Sequence, residues 1–236
     1  MIIHAQPEVH GNRDLARQVV AKYRPFINKQ LVGHQAVIAI ASLGGGVGTG
    51  ALITVADSAK ELGESFVAVV MIPFVFEPER RKRALAEAEA LVAAADRVIV
   101  MDMERLACFG EGMSLSAALA AADSMAAQAA VTLARLFDTV PVFSIMSQHV
   151  YSFSYASSRD LLEAVIRAKN APLFDLDPDA GKLIICPDAA LSTVEIDRLS
   201  LNVTNIAGIV PEIIPGPVGA SGRGVLVFMP TSFRRS

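Results

Sequence analysis

The sequence is poor in charge, in cysteine and in tryptophan. Charged residues make up 19% of the 236 residues, the formal net charge is −3, two cysteines occur and tryptophan is absent. This weak negative charge gives no electrostatic reason to bind nucleic acid, whose recognition depends on a basic surface. At the same time 53% of the residues are hydrophobic, which predicts a large buried core or a substantial subunit interface.

Signals for metal binding and for secretion are also missing. Cys108 and Cys186 lie in apolar surroundings without metal-ligand spacing, which predicts buried thiols in a reducing compartment. The four histidines are scattered along the chain, so no metal site is predicted. The N-terminal residues lack the basic and apolar regions of a signal peptide. Together these features predict a cytoplasmic protein.

No segment has the composition of a membrane span. The best candidate, residues 114–137, is rich in alanine but contains Asp123, Gln128 and Arg135. A span needs a run of about 20 strongly apolar residues. We therefore predict no transmembrane segment, and we expect residues 114–137 to form one long helix that is buried on most sides.

The most distinctive segment is a glycine-rich stretch that follows an apolar run. Five of the seven residues 44–50 are glycine, and residues 36–41 have the composition of a buried strand. Glycine permits positive φ and lets backbone N–H groups approach an anion, and a helix beginning near Thr49 adds unpaired donors. One interpretation is a phosphate cradle. The other is a tight, closely packed connection between a strand and a helix.

The rest of the chain alternates between strand-like and helix-like segments. The alternation up to residue 101 predicts parallel α/β winding, and Pro25 is expected to kink or restart the first helix. After Asp138 a smaller α/β part is predicted, so the expected domains are residues 1–138 and 139–236. Helices are expected over 12–31, 49–62, 78–95, 157–169 and 193–199, and strands over 36–42, 66–72, 97–101, 182–186, 206–214 and 224–229.

Several motifs, taken in order, resemble those of the FtsZ/tubulin family. Residues 44–50, GGGVGTG, look like the tubulin signature GGGTGTG, with valine in place of the first threonine. Residues 73–77, PFVFE, followed by Arg81, look like the FtsZ segment PFxFE and its arginine. Residues 6–9, QPEV, are similar to the segment before the signature strand, and residues 96–100 fall where the family has its next strand. The resemblance is strong over residues 6–137 and extends beyond them in pattern only.

This resemblance implies both a fold and a ligand. The implied fold is α/β, with a parallel-sheet nucleotide-binding domain truncated at its N-terminus, a long central helix and a smaller α/β C-terminal domain. The implied ligand is GTP or GDP, with phosphates on the signature loop and with a glutamate and an arginine near the ribose and phosphates. The expected cofactor-binding residues are Gly44, Gly45, Gly46, Val47, Gly48, Thr49, Gly50, Glu77 and Arg81.

A structural alternative stays open for the charged members of this set. Glu77 and Arg81 have the spacing of an i,i+4 ion pair at a helix start, which stabilises a helix by only about 0.3–0.5 kcal/mol. The basic run over residues 80–83 is expected to be a solvated helix face rather than an anion or membrane patch.

The chain departs from the family in its expected nucleotide pocket. FtsZ has an earlier glycine-rich loop and further loops around the phosphates, and this sequence begins after that region. Such a start is expected of a fragment, although Met1 favours a whole protein. FtsZ has a phenylalanine that stacks on guanine and then Asn-Asp, whereas this chain has Leu119, Asp123 and Ser124. A serine hydroxyl cannot reproduce the bidentate contact of a carboxylate with guanine.

The family's catalytic loop is not recognisable either. FtsZ follows its central helix with an NxDxxD loop whose carboxylates activate water on the neighbouring subunit's GTP. Here Asp138 is the only carboxylate of that stretch, and the next one is Asp160. Activation of water needs an acceptor at this place, so no catalytic residue is predicted.

These features leave three hypotheses for function. The first is a divergent FtsZ/tubulin-like cytoskeletal or assembly protein with weak or absent GTP hydrolysis, acting through self-association or an FtsZ/tubulin-like partner. The second is a GTP-binding GTPase of the same family that polymerises. The third is a domain that uses the loop for another phosphorylated ligand. Peripheral membrane association is compatible with the first, and the departures weaken the expectation that GTP or GDP binds.

Overall fold

The computed structural model describes residues 13–107, 113–177, 181–217 and 219–233. The described residues up to Ala126, with Phe233, belong to a first compact unit. Those from Ala127 to Ser232 belong to a second unit. The signals at residues 6–9 and the thiol of Cys108 lie outside the described residues.

The first unit alternates between helices and parallel strands, as the sequence predicts. Pro25 lies at the start of the second helix, which confirms the predicted restart, because proline is compatible with the first helical turn only. The elements are α1 (Arg13–Ala21), α2 (Arg24–Leu31), β1 (Ala36–Ser42), α3 (Val47–Leu62), β2 (Ser65–Ile72), α4 (Pro78–Ala94), β3 (Arg97–Asp102) and α5 (Met103–Ala107).

The three strands of this unit form a parallel sheet in the order β1, β2, β3. Ala36 pairs with Ser65 at one end of the first ladder, and Ser42 pairs with Met71 at the other. β3 continues the sheet, with Val67 paired to Arg97. Because all three strands run in the same direction, their carboxyl ends meet at one edge, where ligands bind in open α/β sheets.

The longest helix is α6 (Leu115–Thr139), which passes the boundary at Ala126. The Ser114 hydroxyl accepts a hydrogen bond from the Ala117 N–H at 3.2 Å, as expected of an N-cap. The expectation that this helix is buried on most sides is wrong, because Leu115, Leu119 and Val131 are exposed. Alanine-rich composition reports low polarity, and it does not determine which faces are covered.

By length and composition, α6 is the one helix among the described residues that is able to cross a membrane, and a third of its most apolar window is buried. The same test is passed by the core helices of proteins that never enter a membrane. It is therefore a weak indication of a span.

The second unit contains a mixed sheet whose strands the sequence predicts only in part. Strand β7 pairs antiparallel with β4 on one side and with β5 on the other, and β5 pairs in parallel with β6. The elements after α6 are α7 (Val142–Ile145), β4 (Val150–Ser157), α8 (Leu161–Asn170), β5 (Ile184–Ala189), α9 (Thr193–Ala207), β6 (Glu212–Ile213) and β7 (Ser221–Pro230).

One prediction about this unit is wrong, and one of its strands was not predicted. The strand expected over residues 206–214 is reduced to Glu212–Ile213, because α9 continues to Ala207 and ends at Gly208 with φ 69°. Strand β4 is not predicted at all. Its sequence YSFSYAS alternates polar with aromatic residues, yet its serines Ser152 and Ser154 are buried.

The core of the second unit lies between α8, α9 and the sheet. It contains ten buried residues: Ala164, Val165, Ala168, Leu183, Ile185, Leu199, Val203, Val225, Val227 and Met229. Cys186 is fully buried on β5, and burial raises the pKa of its thiol to about 12. Its burial confirms the prediction of a buried thiol, and the raised pKa leaves the thiol neutral at physiological pH.

Helix α3 ends at Gly63, which adopts the left-handed conformation with φ 75°. A Cβ atom there would meet no neighbouring atom within 4 Å, so strain in φ alone opposes a side chain. We expect Gly63→Ala to lower the free energy of unfolding by about 1 kcal/mol, measured by urea denaturation. The matched control is Gly181→Ala, which also has open space but no positive φ. Equal midpoints for the two variants would contradict this account.

Candidate functional site at the carboxyl ends of the parallel strands

The predicted site residues lie in the connections that follow β1 and β2. Strand β1 leads through residues 43–46 into α3, and β2 leads through residues 73–77 into α4. Strand β3 ends beside them at Asp102. The parallel sheet thus places the signature loop and the PFVFE segment on the same edge of the first unit.

The glycine loop needs its glycines for two different reasons. Gly44 and Gly46 have positive φ angles of 81° and 79°, which other residues rarely adopt. Gly48 has an ordinary φ, but a Cβ atom there would lie 2.9 Å from the Ser42 carbonyl oxygen. The loop can therefore return closely onto the end of β1 only without these side chains.

The loop presents a row of unused backbone donors. Helix α3 begins at Val47 without a side-chain cap, and the first amide bonded in helical fashion is Gly50 N–H, to the Gly46 carbonyl at 3.0 Å. The N–H groups from Gly45 to Gly48 have no acceptor among the described residues. Such donors, together with the positive end of the helix dipole, suit an anion.

One side of the loop is occupied by a carboxylate that the sequence did not single out. Glu87 on α4 is 5% exposed, and its Oε2 accepts a hydrogen bond from the Gly44 N–H at 2.7 Å. The same oxygen accepts a very short hydrogen bond from the Thr49 hydroxyl. A signal was present, because Glu87 falls on the stripe of α4 that also buries Ala84, Ala88 and Leu91.

Glu77 reaches the loop region through a neighbouring arginine. Its Oε2 accepts a hydrogen bond from Arg80 Nη1 at 2.8 Å, and Arg80 Nη2 donates to the Ser42 hydroxyl at 3.0 Å. Glu77 is thereby connected to the end of β1. The alternative of an i,i+4 pair between Glu77 and Arg81 is wrong, since Glu77 pairs with the residue three positions on.

Arg81 is directed to the end of β3. It forms a bidentate ion pair with Asp102, with N–O distances of 2.7 and 2.5 Å, and also donates to the Pro73 carbonyl at 2.7 Å. The pair is largely buried, with side-chain exposures of 23% for Arg81 and 10% for Asp102. Arg81 therefore joins the ends of β2 and β3.

The basic run is a solvated face only in part. Lys82 is exposed, as expected, but Arg80 and Arg81 are half-buried in the ion pairs just described. Arg83 donates from Nε to the Gly44 carbonyl at 3.2 Å. Helix α4 thus contributes a charge network to the loop rather than a free basic surface.

The residues expected near a guanine base lie on the first half of α6. Leu119, Asp123 and Ser124 are all exposed. None of the hydrogen bonds described for the first unit joins them to the glycine loop. Among the described residues, no group of three or more histidine, cysteine or acidic side chains is arranged to hold a metal ion.

Comparison with known proteins agrees with this architecture. The family model for the GTPase domain of the Tubulin/FtsZ family matches residues 8–110. The chain is 34% identical over 205 residues to the cell division protein FtsZ of Methanothermobacter thermautotrophicus, a match that covers 80% of this chain and 54% of that protein. These matches support membership of the FtsZ/tubulin superfamily. It is also 38% identical over 121 residues to FtsZ of Pseudomonas aeruginosa, covering 50% of this chain and 31% of that protein.

Solved structures extend the similarity of this FtsZ-like chain to most of its length. An empty FtsZ dimer from Methanocaldococcus jannaschii has a TM-score of 0.77 at 26% identity, covering 93% of this chain and 70% of that one. CetZ2 from Haloferax volcanii, in a GTPγS-bound protofilament, has a TM-score of 0.72 at 20% identity, covering 94% and 74%. The latter shows the fold alone. The chain spans about half the length of the curated relatives that it matches.

Gly44 tests the close contact between the loop and α4. A Cβ atom there would overlap the Arg80 carbonyl oxygen, and φ is already 81°. We expect Gly44→Ala to lower the free energy of unfolding by about 2 kcal/mol or more, because strain and overlap add. Urea denaturation measures this loss.

The matched control for Gly44 is Gly45→Ala, one residue along. Gly45 has no positive φ and would place its Cβ in open space, so this variant is expected to unfold within about 0.5 kcal/mol of the wild type. If both alanine variants proved equally stable, the described packing of the loop against α4 would be wrong.

Proposed function

We propose that this FtsZ-like protein is a cytoskeletal protein of the cytoplasm that acts by assembling with copies of itself, and that it hydrolyses GTP weakly or not at all. The observation that carries the proposal is the apolar strand β1 at the edge of the first unit's sheet, whose outer side is not paired by any other described strand. The family supports it, since the similar proteins include cell division proteins, an FtsZ dimer and a CetZ2 protofilament.

Strand β1 is exposed where its neighbours are buried. In the part of the chain that the structure describes, β1 pairs with β2 alone, so the backbone groups of its other edge are unpaired. None of the residues in β1 is fully buried, and Ile40 is 45% exposed. The residues of β2 from Phe66 to Val70, in contrast, are at most 1% exposed.

The open side of β1 is apolar and uncharged. Ala41 faces α3, since its Cβ lies close to Gly48, so alternation along the strand directs Ile38 and Ile40 to the opposite face. Exposed strand edges are usually protected by charge, proline or a bulge, and the sequence AVIAIAS contains none of these. An unprotected edge of this kind is suited to pairing with another strand.

A second copy of this chain fits the edge because the strand is self-complementary. Antiparallel pairing centred on Ala39 places Ile38 of one copy opposite Ile40 of the other, and the same contact is made twice about the two-fold axis. Fully burying an isoleucine contributes about 1.5–3 kcal/mol. The exposed half of Ile40 would thus contribute roughly 1 kcal/mol in each copy.

Replacing Ile40 by lysine tests assembly through β1. We expect Ile40→Lys to weaken self-association by more than about tenfold, because it removes apolar burial and opposes two like charges across the axis. Size-exclusion chromatography with light scattering over a concentration series measures this. The control is Val194→Lys, at an apolar residue of α9 that is 67% exposed. A wild type that stays monomeric throughout, or an Ile40→Lys variant that assembles unchanged, would contradict the proposal.

Weak hydrolysis is proposed because of the composition of the turn after α6. Asp138 is exposed, and residues 139–146 contain no carboxylate. Phe143 of α7 instead packs edge-to-face on Phe137, with ring centroids 5.7 Å apart. An apolar turn of this kind offers no acceptor to orient or deprotonate a water molecule.

The second candidate function is a GTP-binding GTPase that polymerises. It is favoured by the unused donors of the signature loop. In this proposal the loop from Gly44 to Gly50 holds the phosphates, with the unused N–H groups of Gly45 to Gly48 as its donors. Glu77 and Arg81 then act near the ribose and phosphates, with Arg81 first leaving its pair with Asp102.

Substitution of Gly45 separates binding from folding, because a side chain there meets open space. If the loop binds phosphates, Gly45→Asp should weaken GTP binding by about tenfold or more relative to Gly45→Asn, since a like charge is added at the cradle. Calorimetric titration with GTP, ATP and inorganic phosphate measures this. Equal affinity of the two variants would exclude the loop as the phosphate site.

Phosphate release from GTP decides between the two candidates. We expect no hydrolysis that saturates with GTP under conditions in which the protein assembles. Saturable hydrolysis that is lost in Gly45→Asp would overturn the leading proposal and favour the GTPase.

A further inference from the structure

One carboxylate oxygen accepts hydrogen bonds from both ends of the glycine loop. Gly44, the first loop glycine, and Thr49, in the first turn of α3, both donate to Oε2 of Glu87. Arg83, one turn earlier on α4, donates to the Gly44 carbonyl at 3.2 Å. Helix α4 therefore holds both backbone hydrogen-bonding groups of Gly44.

Because Glu87 is buried, its contact with the loop is electrostatic as well as steric. Removing a carboxylate from water is costly unless hydrogen bonds and positive charge compensate for it. Here the compensation comes from the Gly44 N–H, the Thr49 hydroxyl and the positive end of the α3 dipole. The charge is therefore stabilised only while the loop keeps its present shape.

The same contact divides the donors of the loop into two groups. Gly44 N–H and the Thr49 hydroxyl are committed to Glu87, whereas the N–H groups from Gly45 to Gly48 have no acceptor among the described residues. A phosphoryl group placed on the committed side would meet a carboxylate of like charge. The open amides between them are the place left for an anion.

We propose that Glu87 is the positioning residue of the signature loop. It holds Gly44 to Thr49 so that the amides of Gly45 to Gly48 converge, and its charge confines a phosphorylated ligand to those amides. This role rests on the phosphate binding proposed for the loop, whereas the hold on the loop itself does not require a ligand.

One pair of variants separates the acceptor oxygen of Glu87 from its charge, and a second pair tests the hydroxyl of Thr49. Glu87→Gln keeps an acceptor oxygen for both donors and removes the charge, while Glu87→Ala removes both. Thr49→Ser keeps the hydroxyl, while Thr49→Val removes it at nearly constant volume. Glu89→Ala, at an exposed carboxylate on the same helix, is the control.

Hydrogen exchange of the peptide that spans residues 43–50 reports loop closure without a ligand. We expect Glu87→Ala and Thr49→Val to accelerate the exchange of its hydrogen-bonded amides, above all Gly44 N–H, by about tenfold or more, because hydrogen bonds to a charged group are lost. Glu87→Gln, Thr49→Ser and Glu89→Ala should remain within about threefold of the wild type. Unchanged exchange in both Glu87→Ala and Thr49→Val would overturn the proposal. If Glu87→Ala fails to fold, as judged by circular dichroism, the Thr49 pair decides alone.

Calorimetric titration with GTP, pyrophosphate and inorganic phosphate tests the effect on ligands. Glu87→Ala should bind each less tightly by about tenfold or more, and Glu87→Gln should bind at least as tightly as the wild type. Tighter binding by Glu87→Ala would overturn the positioning role, since Glu87 would then act as a competing anion. If no form of the protein binds any of the three, the proposed phosphate site fails, and the exchange experiment still decides whether Glu87 holds the loop.

Discussion

The contact of Glu87 with the glycine loop is the constraint on which the architecture of the first unit depends. Through one oxygen it joins the end of β1, the start of α3 and the middle of α4. A buried carboxylate cannot be left without donors, so the three elements have to keep their places together. The overlap that any side chain at Gly44 would make with the Arg80 carbonyl adds a steric limit to the electrostatic one. The glycine loop, the start of α3 and the charged side chains of α4 therefore form one connected structure.

A second charged contact organises the neighbouring strand ends. The bidentate pair of Arg81 with Asp102 and the hydrogen bond from Arg81 to the Pro73 carbonyl hold the PFVFE segment against β3. A planar guanidinium is suited to this double contact, and a lysine could not reproduce it. In this arrangement Arg81 stabilises the fold. A role near a nucleotide would require it to leave Asp102. The basic run of α4 is therefore mostly engaged within the protein.

These contacts bear on function in opposite directions. The N–H groups from Gly45 to Gly48 have no acceptor among the described residues and are the donors of the proposed anion site, while residues 139–146 after Asp138 contain no carboxylate to activate water. Among the described residues, strand β1 adds an apolar edge without the charge, proline or bulge that usually protects an edge strand. In a chain similar to FtsZ, this combination is the reason for which we propose assembly rather than turnover. Since the chain spans about half the length of its curated relatives, the activity of those proteins is a proposal for this one.

Much of the first unit was determined by the sequence alone. Apolar runs such as SFVAVVMI form buried strands wherever both faces are covered, and Pro25, Gly63 and the signature glycines act through local φ preferences. The sequence also predicts the family from short motifs, because their residues are contiguous. Only the tertiary structure decided which groups the charged residues bind. Arg81 pairs with Asp102, which lies 21 residues away in the sequence, and Glu87 binds Gly44, which lies 43 residues away. It likewise decided that α6 exposes Val131 and that β4 buries serines. Burial and long-range pairing depend on how elements pack, which no local pattern contains.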